Sequence, residues 1–344
     1  MSEEPAPHRR RVRYSGKNPR RFVEKYKEHD PARDPATFEK VLASGKTPAG
    51  THRPIMVTEI VAALAPRPGE VVVDATLGYG GHARELLARI QPGGRLLGLD
   101  ADPVELPKTE ARLRAAGFGP ETFTAHRSNF AGLSQILAAA GLNGADCLLA
   151  DLGVSSMQLD DPARGFSIKA DGPLDMRMNP RRGQPASIFL LKIKPDEFAQ
   201  LLSENADEPH ASELAPALAG QHFPTTLKLV EAIRRTLARQ PGTERELAVR
   251  RVFQALRIAV NDEFAALEAF LRMLPGCLNP AGRAAILTFH SGEDRRVKKA
   301  FAAGLQSGDF EAISAEVIRP TAAERHANPR STSAKLRWAR RAAA

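Results

Sequence analysis

Three apolar runs in this chain end in an acid: Val71-Val-Val-Asp74, Leu96-Leu-Gly-Leu-Asp100 and Cys147-Leu-Leu-Ala-Asp151. The first runs straight into Gly78-Tyr-Gly80-Gly81-His82-Ala83, which satisfies the loose G-x-G-x-x-G/A pattern of nucleotide-cofactor turns. Glycine has no Cβ, and the first N–H groups of a helix are unpaired, so a ligand can approach bare backbone there. Asp100 follows Gly81 by 19 residues, near the spacing at which an acid bonds ribose hydroxyls. Two chemistries share this arrangement: hydride transfer with a nicotinamide dinucleotide and methyl transfer from S-adenosylmethionine. The turn alone does not separate them.

The run ending at Asp151 favours the second. It passes into Leu152-Gly-Val-Ser155-Ser156, so an acid and a Gly/Ser turn lie beside the place a methyl donor would occupy. An exocyclic amine on an aromatic ring is a weak nucleophile because its lone pair is delocalised. Acceptors that bond its hydrogens help to localise that pair and align it for in-line attack. Methylation at cytosine C5 would instead need a cysteine nucleophile. Cys147 lies inside a strand-like run and Cys277 far away, which makes nitrogen the expected target. Alone, Asp151 would serve equally as a turn former or helix cap.

The elements that must position these residues alternate. Val57, Ile60, Val61 and Leu64 mark a helix that Pro66 stops. Strands are expected at 70–74, 95–100, 122–125 and 146–151, with helices near 83–90, 103–116 and 133–140 between them. Repeated units of this length predict an α/β fold with a doubly wound parallel sheet, which binds ligands at the carboxyl ends of its strands. From 152 to about 242 the strand signal fades into an inserted helical region. Val249, Phe253, Leu256, Val260, Phe264, Leu267 and Leu271 then share one face of a long helix, and Arg250, Gln254, Arg257 and Asn261 another. A strand at 283–289, a helix at 295–303 and a final edge strand at 335–338 complete the reading.

With 42% hydrophobic residues the chain of 344 can bury a real core. It has no run of 18 apolar residues and opens on charge, so a soluble, cytoplasmic protein with no membrane partner is expected. Two cysteines without a CxxC or a nearby histidine indicate neither disulfide nor zinc. The net charge of +9 is concentrated at the ends: 1–30 carries nine Lys/Arg against five Asp/Glu, and 319–344 seven against one. Basic ends on a near-neutral body suit a polyanion, although they would also serve solubility alone. The first fifty residues lack hydrophobic periodicity apart from a short helix expected at 20–26.

Taken together, these motifs resemble the bacterial 16S rRNA (cytosine-N4)-methyltransferases. The resemblance rests on Thr51-His-Arg-Pro-Ile55, Asp74 to His82, Ser128-Asn-Phe130, Asp151 to Asp160, Arg164-Gly-Phe-Ser167, Gly172 to Met178, Phe253 to Asn261 and Phe289-His-Ser-Gly-Glu-Asp-Arg295, in family order. It implies a Rossmann-like class I methyltransferase domain at 51–160 and 243–344. It further implies a helical substrate-recognition insert at 161–242, preceded by a basic, partly disordered arm at 1–50. S-adenosylmethionine is the implied donor, and a cytosine in the decoding centre of small-subunit rRNA the implied acceptor, as naked rRNA or assembled subunit. A homodimer is compatible with it. Cofactor contacts carry over to Gly78, Gly80, Gly81, His82, Asp100, Phe130, Asp151 and Gln158. Outside this context His82 would read as a helix-start residue and Phe130 as core.

Asp151 with Ser155 and Ser156 is the first choice for holding the amine, and His290 the second. Asp175, Arg177, Arg257 and Asn261 are candidates for holding RNA; an ion-pair network tying insert to sheet is the competing reading. The chain departs from the family at Ala206-Asp-Glu208, where Gly-Glu-Glu is usual, at Gly292, where leucine is usual, and in its basic first fifty residues. A paralogue acting on another RNA, an NAD-dependent oxidoreductase and a non-catalytic rRNA-binding factor are the alternatives.

Overall fold

The structure is a computed structural model that describes residues 54–343, the side chain of Ser156 excepted. The arm at 1–50, the short helix expected at 20–26 and Thr51-His-Arg53 lie outside the described residues. The chain enters through α1 (Val57–Leu64) and alternates through β1 (Val71–Asp74), α2 (Gly81–Ile90), β2 (Arg95–Asp100), α3 (Glu105–Ala115), β3 (Phe123–Arg127), α4 (Leu133–Ala139) and β4 (Ala145–Asp151). The sheet order is β3-β2-β1-β4-β5-β7-β6. Strands β1 to β5 (Leu278–Thr288) are mutually parallel, and the order reverses between β1 and β4. Asp74, Asp100 and Asp151 close their strands on the same edge, around the crevice that such a reversal opens.

Between β4 and β5 come α5 (Ser156–Asp160), α6 (Ala186–Lys192), α7 (Pro195–Ala206), α8 (Ala211–Leu218), α9 (Thr226–Thr236), α10 (Gly242–Val260) and α11 (Glu263–Cys277). Helices α6 to α10 close on a core of their own, with Phe198, Leu214, Leu229 and Leu256 fully buried. The sheet has one core on each face: α1, α2 and α3 cover one, while α4, α11 and α12 (Ser291–Ser307) cover the other. Branched and leucine-rich strands such as Val71-Val-Val suit this burial on both sides.

Three expectations need correction. The long helix expected through 249–271 is two helices, α10 and α11, because Asp262 turns into the left-handed region at φ +50° while the apolar spacing continues across it. The last strand, β7 (Lys335–Arg341), is no edge: it lies antiparallel between β5 and β6 (Phe310–Ile313), a strand the sequence reading missed. The basic C-terminal stretch is therefore no free arm. Arg337 and Lys335 pair with Asp294, Arg340 with Glu311, and Arg330 with Asp160. Those cations are already neutralised within the fold.

Among the described residues no helix is long and apolar enough to cross a membrane. Both cysteines are buried and free, and the interior pushes the Cys147 thiol up to about 12.

Candidate active site

The turn after β1 is pinned from both sides. The Ala75 N–H donates to the Leu149 carbonyl at 2.8 Å on β4, and the Leu77 N–H to the Leu99 carbonyl at 2.7 Å on β2. Gly80 then takes φ +79°, and a Cβ there would lie 2.9 Å from Thr109 Cγ2, so glycine is required by conformation and by space. No side chain caps the start of α2, which leaves its first N–H groups at Gly81 and His82 turned to the crevice edge.

Three carboxylates surround this turn. Asp100 accepts the Gly78 N–H on Oδ2 at 2.7 Å and the Asp102 N–H on Oδ1 at 2.8 Å, and burial pushes it up to about 6. Asp74 accepts the Thr76 N–H at 3.1 Å and is likewise pushed up by burial to about 6. Asp151 gives its own N–H to Thr76 Oγ1 at 2.6 Å. Its side chain keeps 28% exposure, yet Oδ1 is shielded and has no hydrogen-bond partner, and Oδ2 lies 3.6 Å from His82 Nδ1. Burial, with the Glu293 charge adding to it, pushes Asp151 up to about 7.

Among the described residues neither lysine nor arginine pairs with any of the three acids. An acidic cleft without its own cation favours a cationic ligand. S-adenosylmethionine, with a sulfonium and an ammonium, fits this cleft; the anionic pyrophosphate of a dinucleotide would meet repulsion there.

Other expected site residues act at one remove. Phe130, half-buried, packs against Phe270 with centroids 5.4 Å apart, three residues past the end of β3. Ser155 and Gln158 form a capping box on α5: Ser155 Oγ accepts the Gln158 N–H, and Gln158 Oε1 accepts the Ser155 N–H. Gln158 then donates from Nε2 to Asp102 at 2.9 Å. Ser155 thus organises the turn, while the side chain of Ser156 lies outside the described residues.

Asp102 and Arg164 were not singled out by sequence reasoning. Asp102 is 1% exposed; burial raises its pKa, but Arg164 and Gln158 outweigh this and hold it low. Arg164 bonds Asp102 at 2.8 Å and also the backbone carbonyls of Arg177 and Met178 at 3.1 and 2.9 Å. It clamps the strap at 165–178 to the ribose-side loop. Gly165 permits the crossing, since a Cβ there would meet the Pro173 carbonyl at 2.3 Å. The signal for Arg164 was its place in the Arg164-Gly-Phe-Ser167 motif, and for Asp102 its position two residues after Asp100. Replacing Arg164 with alanine strands a buried carboxylate and should cost about 3 kcal/mol. A thermal melt should show a loss of several degrees.

Of the expected RNA holders, Arg257 and Asn261 are committed to protein. Asn261 accepts the Met178 N–H at 2.7 Å and donates to the Met176 and Arg257 carbonyls at 2.8 Å each. Arg257 is bidentate with Glu263 at 2.8 and 2.9 Å, and Glu293 lies 4.0 Å away. Asp175 holds Arg177 through two bonds of 2.7 and 2.8 Å. His290 belongs to the same network, with Nε2 3.1 Å from Glu293, within ion-pair reach though off the hydrogen-bond line, and its ring against Phe264. This is the network tying insert to sheet, and it leaves Arg257 and Asn261 no free polar face for RNA. Gly292 fits the same packing: a Cβ there would stand 2.6 Å from Phe264 Cζ, whose ring carries Arg296 at 3.6 Å.

Sheet order, glycine turn and uncompensated acids define a class I S-adenosylmethionine-dependent methyltransferase. The model of the MraW methylase family matches residues 49–342, and the chain belongs to that family. It is 48% identical to ribosomal RNA small subunit methyltransferase H 1 of Lachnoclostridium phytofermentans, covering 98% of this chain and 94% of that protein. With ribosomal RNA small subunit methyltransferase H 2 of Acholeplasma laidlawii the identity is 47%, over 96% of this chain and 97% of the relative. The ribosomal RNA small subunit methyltransferase H of Anaeromyxobacter dehalogenans is 42% identical over 83% of this chain and 96% of its own length. The first two relatives match nearly all of this chain, whereas the family model begins only at residue 49. The third leaves unmatched a share close in size to the segment before that residue.

Proposed function

We propose that this chain is a cytoplasmic enzyme that methylates the exocyclic N4 of a cytosine in the decoding centre of 16S rRNA. The observation that carries the chemistry is Asp151, a carboxylate with an unpartnered, shielded oxygen at the end of β4, beside the uncapped start of α2. The names of relatives at 47 to 49% identity, ribosomal RNA small subunit methyltransferases H, support small-subunit rRNA as substrate.

When bound, S-adenosylmethionine supplies an electrophilic methyl on a sulfonium. Gly78, Gly80 and Gly81 let it lie against backbone, Asp100 takes the ribose hydroxyls, and Phe130 packs beside the adenine. Gln158 and His82 act through Asp102 and Asp151. The base turns out of its stack, and Asp151 accepts the amine hydrogens and aligns the lone pair. Arg177 and the helical layer at 161–242 face the RNA, while Ser155 and His290 hold the walls of the site.

The test is incubation with labelled S-adenosylmethionine and small subunits from cells lacking the modification, followed by identification of the labelled nucleoside. N4-methylcytidine is expected. Label in another nucleoside, or none in a protein that binds the cofactor, overturns the reading.

A further inference from the structure

The site contains one buried pair whose work is not yet assigned. His82 Nε2 lies 2.9 Å from the Ile55 carbonyl oxygen, a group that can only accept. In a neutral ring the proton is therefore on Nε2, and Nδ1 presents a lone pair. Burial lowers the pKa of His82 against the pull of Asp74, which keeps the ring neutral. Facing Nδ1 at 3.6 Å is Asp151 Oδ2. A lone pair opposite a carboxylate oxygen is favourable only when a proton lies between them. Asp151 thus has one oxygen, Oδ1, shielded and without a hydrogen-bond partner, and the other backed by an acceptor.

Resting on the amine methylation proposed above, we propose that His82 is a positioning residue that enables Asp151 to take the proton released by the methylated amine. The N4 lone pair forms the bond to the methyl carbon as the carbon–sulfur bond breaks, and that electron pair returns to sulfur as a neutral thioether. The nitrogen, now positively charged, gives one proton to the Asp151 carboxylate. After a small side-chain shift to hydrogen-bond length, Nδ1 accepts from the resulting carboxylic acid. The sulfur cation and the carboxylate anion disappear together, so the net charge of the buried site is unchanged. Groups facing the pair are Asp74 of β1, Glu293 of α12, Glu85 of α2 and Glu324 of α13 (Ala322–Ala327). All are acids, and each favours retention of that proton.

Two substitutions separate this role from scaffolding. Glutamine at 82 reaches the Nε2 position and keeps the anchor to Ile55 while losing the acceptor at Nδ1. Asparagine keeps an acceptor at Nδ1 and loses the anchor. We expect His82→Gln to bind S-adenosylmethionine in calorimetry within about threefold of the parent and to keep its KM for small subunits. Its kcat should fall roughly 10- to 100-fold, less than the roughly 10²- to 10⁴-fold of a lost general base, because Asp151 itself remains. The acid limb of its kcat profile should move to lower pH, because the group that holds the proton on Asp151 is gone. His82→Asn should retain more kcat than His82→Gln.

The reverse order, an unmoved limb, or a loss that tracks cofactor affinity overturns the proposal. Independently of any variant, nitrogen NMR of the parent should show the Nε2–H tautomer at neutral pH; a doubly protonated ring there also overturns it. Identification of N4-methylcytidine by the parent in parallel keeps failure of this inference distinct from failure of the reaction assignment.

Discussion

Asp151→Asn yields a protein that melts higher than its parent and transfers methyl far more slowly. The two effects have one origin. In the parent, burial raises Asp151 from 3.8 to about 7. Its unfolded form therefore loses the proton first, and stability falls as pH rises from about 4 to 7, with the full penalty present above 7. A shift of that size corresponds to about 4 kcal/mol at pH 8, since each unit is worth 1.36 kcal/mol. Asparagine removes the charge at constant shape. The melting temperature of the variant should exceed that of the parent by several degrees at pH 8 and by little at pH 4, and saturating S-adenosylmethionine should shrink the difference. Methyl transfer should fall about 10³-fold, as when a positioned charge is lost from a closed site. A variant with parental kcat would remove Asp151 from the reaction. One with no pH-dependent gain in stability would show that its carboxylate is already compensated.

The second large effect is on binding. Asp100 is the acceptor for the N–H groups of both Gly78 and Asp102, so it fastens the glycine turn to the loop that Arg164 clamps. Asp100→Ala releases both and removes the ribose partner. Two hydrogen bonds to a charged group support a loss of about 3 kcal/mol, or roughly 100-fold in the Kd for S-adenosylmethionine. Calorimetry on the purified variant checks this, and unchanged affinity would place the ribose elsewhere. Because Asp74 and Asp100 are each raised to about 6, protonation empties the cleft of charge as pH falls from 7 to 5. Parental affinity for the cation should weaken over that interval, while Asp100→Ala should show a shallower slope.

The glycine turn, Asp100 and Asp151 were legible in the sequence because each belongs to a single strand end, where apolar pattern and punctuation suffice. Arg164 and Asp102 meet across 62 residues, and no local periodicity records such a meeting. Arg257 and Asn261 were legible as a polar helix face, open to solvent, to RNA or to an ion-pair network tying insert to sheet, without the partners that decide between them. A helical wheel shows that a face is polar without showing that a second layer, here the strap and α11, covers it. The break at Asp262 was hidden because apolar residues keep helical spacing on both sides, and only the left-handed backbone interrupts them. Strand β6, with four residues, is too short to display an alternation. The basic C-terminal stretch misled for a related reason: composition counts charges, and only partners such as Asp294, Glu311 and Asp160 show that they are neutralised.

Strand β7 is made after every strand it joins, yet it occupies an inner position between β5 and β6. During synthesis, β5 therefore waits with one side unpaired over Ala284-Ala-Ile-Leu287, an apolar stretch that is fully buried once β7 arrives. An exposed edge of this kind invites pairing with another chain. The final seven residues of the sheet thus act as a closing stitch. A chain lacking Lys335–Arg341 holds the glycine turn and all three acids, but it carries an open, adhesive edge along β5.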